Sequence, residues 1–130
     1  MAEPFGVYVH VPFCRSRCDY CAFATWTDRD HVIDDYVEAL GRELDWRRGL
    51  GMLRDATSVF FGGGTPSRLP PEALCSVLEA IDLADGAEVT VECNPEDVDT
   101  VRLAAYRAAG VTRISVGIQS TSERVLRDLG

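Results

Sequence analysis

Ser58-Val59-Phe60-Phe61-Gly62-Gly63-Gly64-Thr65-Pro66, followed by Pro70-Pro71 and then Leu74, Val77, Leu78 and Ile81, is the stretch on which the fold turns. Its apolar and β-branched start predicts a strand, and the triple glycine ends it. The two prolines open a helix, where the first N–H groups have no helical partner and proline is tolerated. The four apolar residues, spaced by three or four, supply its buried face. This is one strand-loop-helix unit.

Working outward, the unit recurs. Glu88-Val89-Thr90-Val91-Glu92-Cys93 reads as a strand stopped by Asn94-Pro95, then a helix over about Asp99 to Ala109 with Gly110 as its C′ residue. Arg113-Ile114-Ser115-Val116-Gly117-Ile118 is the next strand, and Ser120 with Glu123 forms an S-x-x-E capping box for a last helix. Upstream, Gly6-Val7-Tyr8-Val9-His10-Val11 is a strand ended by Pro12. A cysteine-bearing loop follows. Asp28 and Asp30 are candidate caps for a helix with an apolar stripe of Ile33, Tyr36, Val37, Leu40 and Leu44.

The order βαβαβαβα predicts an α/β fold with a parallel sheet and crossover helices. The later units recur every ~25–30 residues, the span of one crossover. In such folds functional groups gather at the C-terminal ends of the strands. The cysteine loop, the glycine run, Glu92 and Gln119 each follow or end a different strand, so all four fall on one edge.

Composition narrows the function classes. The chain has 130 residues, 46% hydrophobic and 26% charged, with a net charge of −8. It is globular in composition, and its acidity argues against a partner bound through nucleic-acid phosphates. No apolar run is long enough for a transmembrane segment, and Met1 is not followed by a basic, then apolar leader. The expected location is the cytoplasm. There the five cysteines argue for a metal or redox site rather than a disulfide framework.

Cys14, Cys18 and Cys21 are spaced C-x3-C-x2-C. Three thiolates in a short loop can hold three corners of a [4Fe–4S] cluster, leaving one iron open to an outside ligand. Two other readings stand beside this one. Zinc would take the three thiolates with His10 or His31 as the fourth ligand, and Cys18-Asp19-Tyr20-Cys21 alone is a C-x-x-C redox pair. Arg15 and Arg17 flank the thiols and either offset cluster charge or are simply exposed.

Gly62-Gly63-Gly64-Thr65-Pro66 lacks the Lys-Ser/Thr of a phosphate-binding P-loop and is not G-x-G-x-x-G. Three glycines let a ligand approach the backbone closely, or else serve a turn that needs positive φ. Glu92 is placed to meet ribose hydroxyls or an amine, or is a surface acid. Gln119 either donates to a ligand or solvates a loop. Cys93, on the opposite face of its strand, and Cys75 read as small core residues.

Together these residues resemble the radical S-adenosylmethionine (SAM) superfamily, in its oxygen-independent coproporphyrinogen III oxidase-like branch. The matching stretches are Tyr8-Val9-His10-Val11-Pro12-Phe13-Cys14, Cys18-Asp19-Tyr20-Cys21-Ala22-Phe23, Phe60 to Ser67, Val91 to Glu96 and Ile114 to Ser120, in family order. The resemblance implies a [4Fe–4S] cluster on Cys14, Cys18 and Cys21, with SAM on the fourth iron. It implies SAM contacts from Gly62, Gly63, Gly64, Thr65, Glu92, Tyr8 and Gln119, with Tyr20 as the aromatic residue inside the cluster loop. In this superfamily a cluster electron cleaves SAM to methionine and a 5′-deoxyadenosyl radical, while the protein binds and orients.

Phe23 departs from the dehydrogenases of the branch, which carry a further Cys there. The Phe form resembles the HemW-like heme chaperones, implying heme delivery to hemoproteins. The alternative is oxidative decarboxylation of coproporphyrinogen III propionates to vinyl groups. Heme or a porphyrinogen is then the expected partner. The four units amount to about half of a (β/α)8 barrel of ~250 residues. The expectation is therefore the N-terminal part of a partial TIM-type barrel, the radical SAM core, with the rest of the barrel and a C-terminal domain outside this chain.

Overall fold

The computed structural model describes residues 3–15 and 24–129, so Arg17, Cys18, Tyr20, Cys21 and Phe23 lie outside the described residues. Four strands, β1 (Gly6–Val11), β2 (Ala56–Gly63), β3 (Leu83–Cys93) and β4 (Arg113–Val116), alternate with α1 (Ile33–Gly49), α2 (Pro71–Glu79), α3 (Thr100–Ala109) and α4 (Glu123–Leu129). The strands lie side by side in chain order and every adjacent pair is parallel. A doubly wound sheet reverses its strand order at a switch point; this one advances in one direction, as barrel staves do.

Strand alternation divides the residues between two faces. Val9, Val11, Val59, Phe61, Val89, Val91 and Cys93 lie on one face and are buried with Leu44 of α1, Leu74, Val77 and Leu78 of α2, and Tyr106 of α3. Each such side chain, fully buried, is worth about 1.5–3 kcal/mol relative to exposure. The other face carries a polar row in register, Tyr8 beside Phe60, Phe60 beside Thr90, Thr90 beside Arg113, with His10 beside Gly62 and Glu92 beside Ser115 one step further on.

Several boundaries differ from the sequence expectation. β2 runs on through Gly62 and Gly63, whose backbones pair with His10 and Val11. β3 starts at Leu83, upstream of Glu88, and the register shift between Ala56 and Ser58 beside it marks an irregularity at the strand start, where Gly86 has φ 75°. β4 stops at Val116 because the chain turns: Gly117 N–H still reaches Cys93 O at 3.1 Å, but Ile118 N–H closes back onto Val116 O at 3.0 Å.

Two capping expectations are corrected. Neither Asp28 nor Asp30 caps a helix. A short 3-10 turn over Asp30–Val32 precedes α1, and the cap positions Arg29 and Val32 make no side-chain bond. Asp30 pairs with Arg68 instead. The Ser120–Glu123 capping box is also shifted. The Ser120 hydroxyl accepts from Ser122 N–H at 3.0 Å, and Ser122 O receives the first helical bond, from Leu126 N–H. The α1 stripe is only half-buried apart from Leu44, because α1 flanks β1, the outermost strand on that side of the described sheet.

Candidate functional site

Pro12 ends β1 and the chain is caught again at once. Phe13 forms a parallel bridge with Trp26; Trp26 N–H donates to Pro12 O at 2.8 Å and Cys14 N–H to Trp26 O at 3.0 Å. The two stems of the cysteine loop are thereby closed on each other, with Cys14 at the base and only 8% exposed.

The glycine run packs directly against this base. Gly64 N–H donates to Val11 O and Thr65 N–H to Phe13 O, both at 2.7 Å. A Cβ on Gly64 would lie 2.7 Å from Phe13 O, 2.8 Å from Val11 O and 3.0 Å from Cys14 Sγ. Gly63 holds φ 103° against the His10 ring, and a Cβ on Gly62 would meet the Phe60 ring at 2.7 Å and Glu92 Oε2 at 3.1 Å. The run is therefore glycine first because the protein's own backbone and rings occupy the space. The Thr65 hydroxyl, buried, points at Cys14 Sγ across 3.8 Å.

Glu92 sits one residue before the end of β3 and half-buried. Burial pushes its carboxyl above the usual value, and a hydrogen bond from Gly63 N–H partly offsets this. Among the described residues no cation stands within ion-pair distance of it. Tyr8 lies nearby, 57% exposed, stacked on Phe60 with ring centroids 6.2 Å apart. Burial, and then the Glu92 charge, raise its hydroxyl.

His10 has a role that residue spacing does not reveal. Its Nε2 lies 2.9 Å from Ala24 O, which can only accept, so Nε2 carries the proton and Nδ1 accepts the Tyr8 hydroxyl at 3.1 Å. Both ring nitrogens are engaged within the protein. The ring thus bridges Tyr8, Gly63 and the far stem of the cysteine loop. A second polar group, Ser67, Asp97 and Arg102, was also not singled out from sequence. Ser67 closes the GGGTPS stretch, and its hydroxyl donates to Asp97 Oδ2 at 2.8 Å. The faint signal was a small polar residue just after a glycine loop.

The structure brings Tyr8, Cys14, Gly62, Gly63, Gly64, Thr65 and Glu92 together at the C-terminal ends of β1 to β3. Gln119 stands on the following loop beyond β4, exposed, in the left-handed region at φ 66°, its amide folded over Gly117. Cys18, Cys21 and Tyr20 fall outside the described residues. Cys93 is buried and its thiol pushed up to about 11, chiefly by burial; half-buried Cys75 is raised for the same reason.

The arrangement offers a soft donor under a glycine loop, a carboxylate without a cationic partner among the described residues, and an exposed aromatic face. This suits a ligand that carries a cation and a flat ring system. Comparison with known proteins identifies the family and fold. The family model described as the radical SAM superfamily matches residues 8–130. The heme chaperone HemW of Escherichia coli is 40% identical over 132 residues, covering 98% of this chain and 35% of its own length. The HemW of Mycobacterium tuberculosis (strain H37Rv) is 42% identical, with coverage of 98% and 34%. The radical S-adenosyl methionine domain-containing protein 1, mitochondrial, of Danio rerio is 42% identical, with coverage of 96% and 29%. The structure of coproporphyrinogen III oxidase HemN from E. coli superposes with a TM-score of 0.84 at 32% identity, over 97% of this chain and 30% of that one. The chain spans about a third of the length of these relatives.

Proposed function

From the premise that this chain belongs to the radical SAM superfamily, we propose that it is the cofactor-binding part of a heme chaperone of the HemW kind. In this reading Cys14, Cys18 and Cys21 hold a [4Fe–4S] cluster. Tyr8, Tyr20, Gly62, Gly63, Gly64, Thr65, Glu92 and Gln119 receive SAM. The observation that carries the reading is the half-buried Glu92 carboxylate, without a cationic partner among the described residues, beside a glycine loop pinned against Cys14. An ammonium group is the partner such a carboxylate lacks.

When bound, the cluster and SAM supply one-electron chemistry that amino-acid side chains do not. The chain's share is binding and order. The thiolates hold iron, and Glu92 accepts from an amine while Gly63 N–H keeps its carboxylate in place. The glycine run, with no side chains of its own, lets Cys14, His10 and Glu92 stand close to one backbone segment, and Tyr8 offers an exposed ring fixed by His10 and Phe60.

Heme delivery is favoured over oxidation by Phe23 and by relatives named as heme chaperones at 40–42% identity. The second reading, oxidation of a porphyrinogen, is supported by the superposition on coproporphyrinogen III oxidase. The cytoplasm belongs to the proposal: no helix among the described residues is long and apolar enough to cross a membrane, while the Danio rerio relative is named mitochondrial.

Anaerobic reconstitution with iron and sulfide, followed by heme titration, tests the first reading. Bound heme without conversion of coproporphyrinogen III in the presence of SAM and a reductant supports it. Protoporphyrinogen formation without heme binding transfers the assignment to the oxidase. Zinc without acid-labile sulfide defeats both.

A further inference from the structure

Three of the loops at the functional edge are tied together by a polar network that the cofactor reading leaves unused. Ser67, 1% exposed in the β2–α2 loop, donates its hydroxyl to Asp97 Oδ2 at 2.8 Å and accepts from Asn94 N–H at 3.2 Å. Asp97 and Asn94 belong to the β3–α3 loop. Arg102 of α3 donates to Ser67 O at 2.7 Å and to Leu69 O at 3.2 Å, holding the β2–α2 loop as well. The outer Asp97 oxygen, Oδ1, lies 3.8 Å from a guanidinium nitrogen of Arg15, and Glu96 Oε2 lies 3.6 Å from the other. Arg15 is the residue directly after Cys14.

The two carboxylates facing Arg15 are not equivalent. Glu96 is 54% exposed, and an ion pair between exposed partners contributes little. The Asp97 side chain is only 10% exposed. A carboxylate that far from water needs its charge met; Arg102 contributes through space, and Arg15 is the cation within ion-pair distance. Ser67 meets one oxygen and Arg15 the other. Asp97 is thus hydrogen-bonded on one side to the loop that carries the glycine run and ion-paired on the other with the side chain of the residue next to Cys14.

We propose that Asp97 is a positioning residue: through Arg15 and Ser67 it holds the first cysteine of the loop in register with the glycine run. This rests on the reading of Cys14 as a cluster ligand. Partners that orient metal ligands without touching the metal commonly change affinity by about 10–100-fold when lost. Asp97 acts at one further remove, so the low end applies.

The test uses the anaerobically reconstituted protein, with the rate of iron loss to a chelator followed at ~400 nm. The electron paramagnetic resonance spectrum of the reduced cluster, with and without SAM, is the second readout. Asp97→Asn and Arg15→Gln should each accelerate loss about tenfold and blunt the SAM-induced spectral change. The double variant should be no faster than the faster single one, because both break one chain of contacts. Arg15→Lys should restore most of the protection, and Glu38→Gln, which breaks the α1 surface pair with Arg42, should change nothing. Arg15 is half-exposed, so Arg15→Gln tests the idea even if Asp97→Asn does not fold. Wild-type loss rates in Arg15→Gln, or rates that multiply in the double variant, overturn the inference. A wild-type protein that takes up no iron and sulfide overturns the cofactor reading instead.

Discussion

Gly64 shows how little freedom single positions have at this site. Two backbone carbonyls stand within 2.8 Å of where its Cβ would be, and backbone cannot step aside as a side chain can. Gly64→Ala should destabilise the chain by about 2–3 kcal/mol, the upper range for overpacking, read from urea denaturation. Glu92 responds in the opposite sense. Burial raises its carboxyl, so the folded chain binds that proton more tightly than the unfolded chain does. The stability this contributes is complete below the ordinary carboxylate range and is lost as pH rises through the raised value. Glu92→Gln, neutral at every pH, should therefore melt slightly above the parent at pH 7, by no more than a few degrees. The gap should close below about pH 4. A variant that gains stability while losing SAM affinity is what a residue kept for a ligand predicts.

At the scale of elements, α3 is the helix whose ends follow local rules most closely. Asp99 accepts from Arg102 N–H at 2.7 Å at its start, and Gly110, at φ 111°, closes its end. Asp99→Ala should cost about 1 kcal/mol and Gly110→Ala about 1–2 kcal/mol. The two should add, since they share no partner. Thermal or urea unfolding of the two singles and the double variant checks this. These ends were legible because caps are local chemistry. The start of β3 was not: the sequence pattern placed it at Glu88, and only pairing with β2 makes Leu83 part of the strand. The start of α1 failed for a related reason. Asp30, a good cap by type, is drawn to Arg68 in another loop. A partner 38 positions later in the chain leaves no mark on the local pattern.

For the whole molecule, the decisive fact is that β1 and β4 are the outer strands of the described sheet. Val116, at the end of β4, and Ile118, just beyond it, are 38% and 54% exposed, and exposed strand edges pair with other chains. The chain by itself should therefore self-associate at micromolar concentration. Ile118→Lys should reduce that association in light scattering without lowering the melting temperature. The one-way strand order also puts all four loops on a single rim, and this part was readable in advance. Alternating strand and helix patterns, chirality and short connections leave few other topologies, so the α/β class, the parallel sheet and the shared edge followed from the amino-acid order alone. Side-chain type and spacing likewise marked Cys14, the glycines and Glu92. Only the tertiary structure decided what those residues do to one another. It turned the glycine run into the seat of Cys14, made His10 and Asp97 the ties between loops, and left Glu92 without a counter-charge among the described residues. Those outcomes depend on distances between segments far apart in the chain, and burial and electrostatics act through space rather than along the sequence.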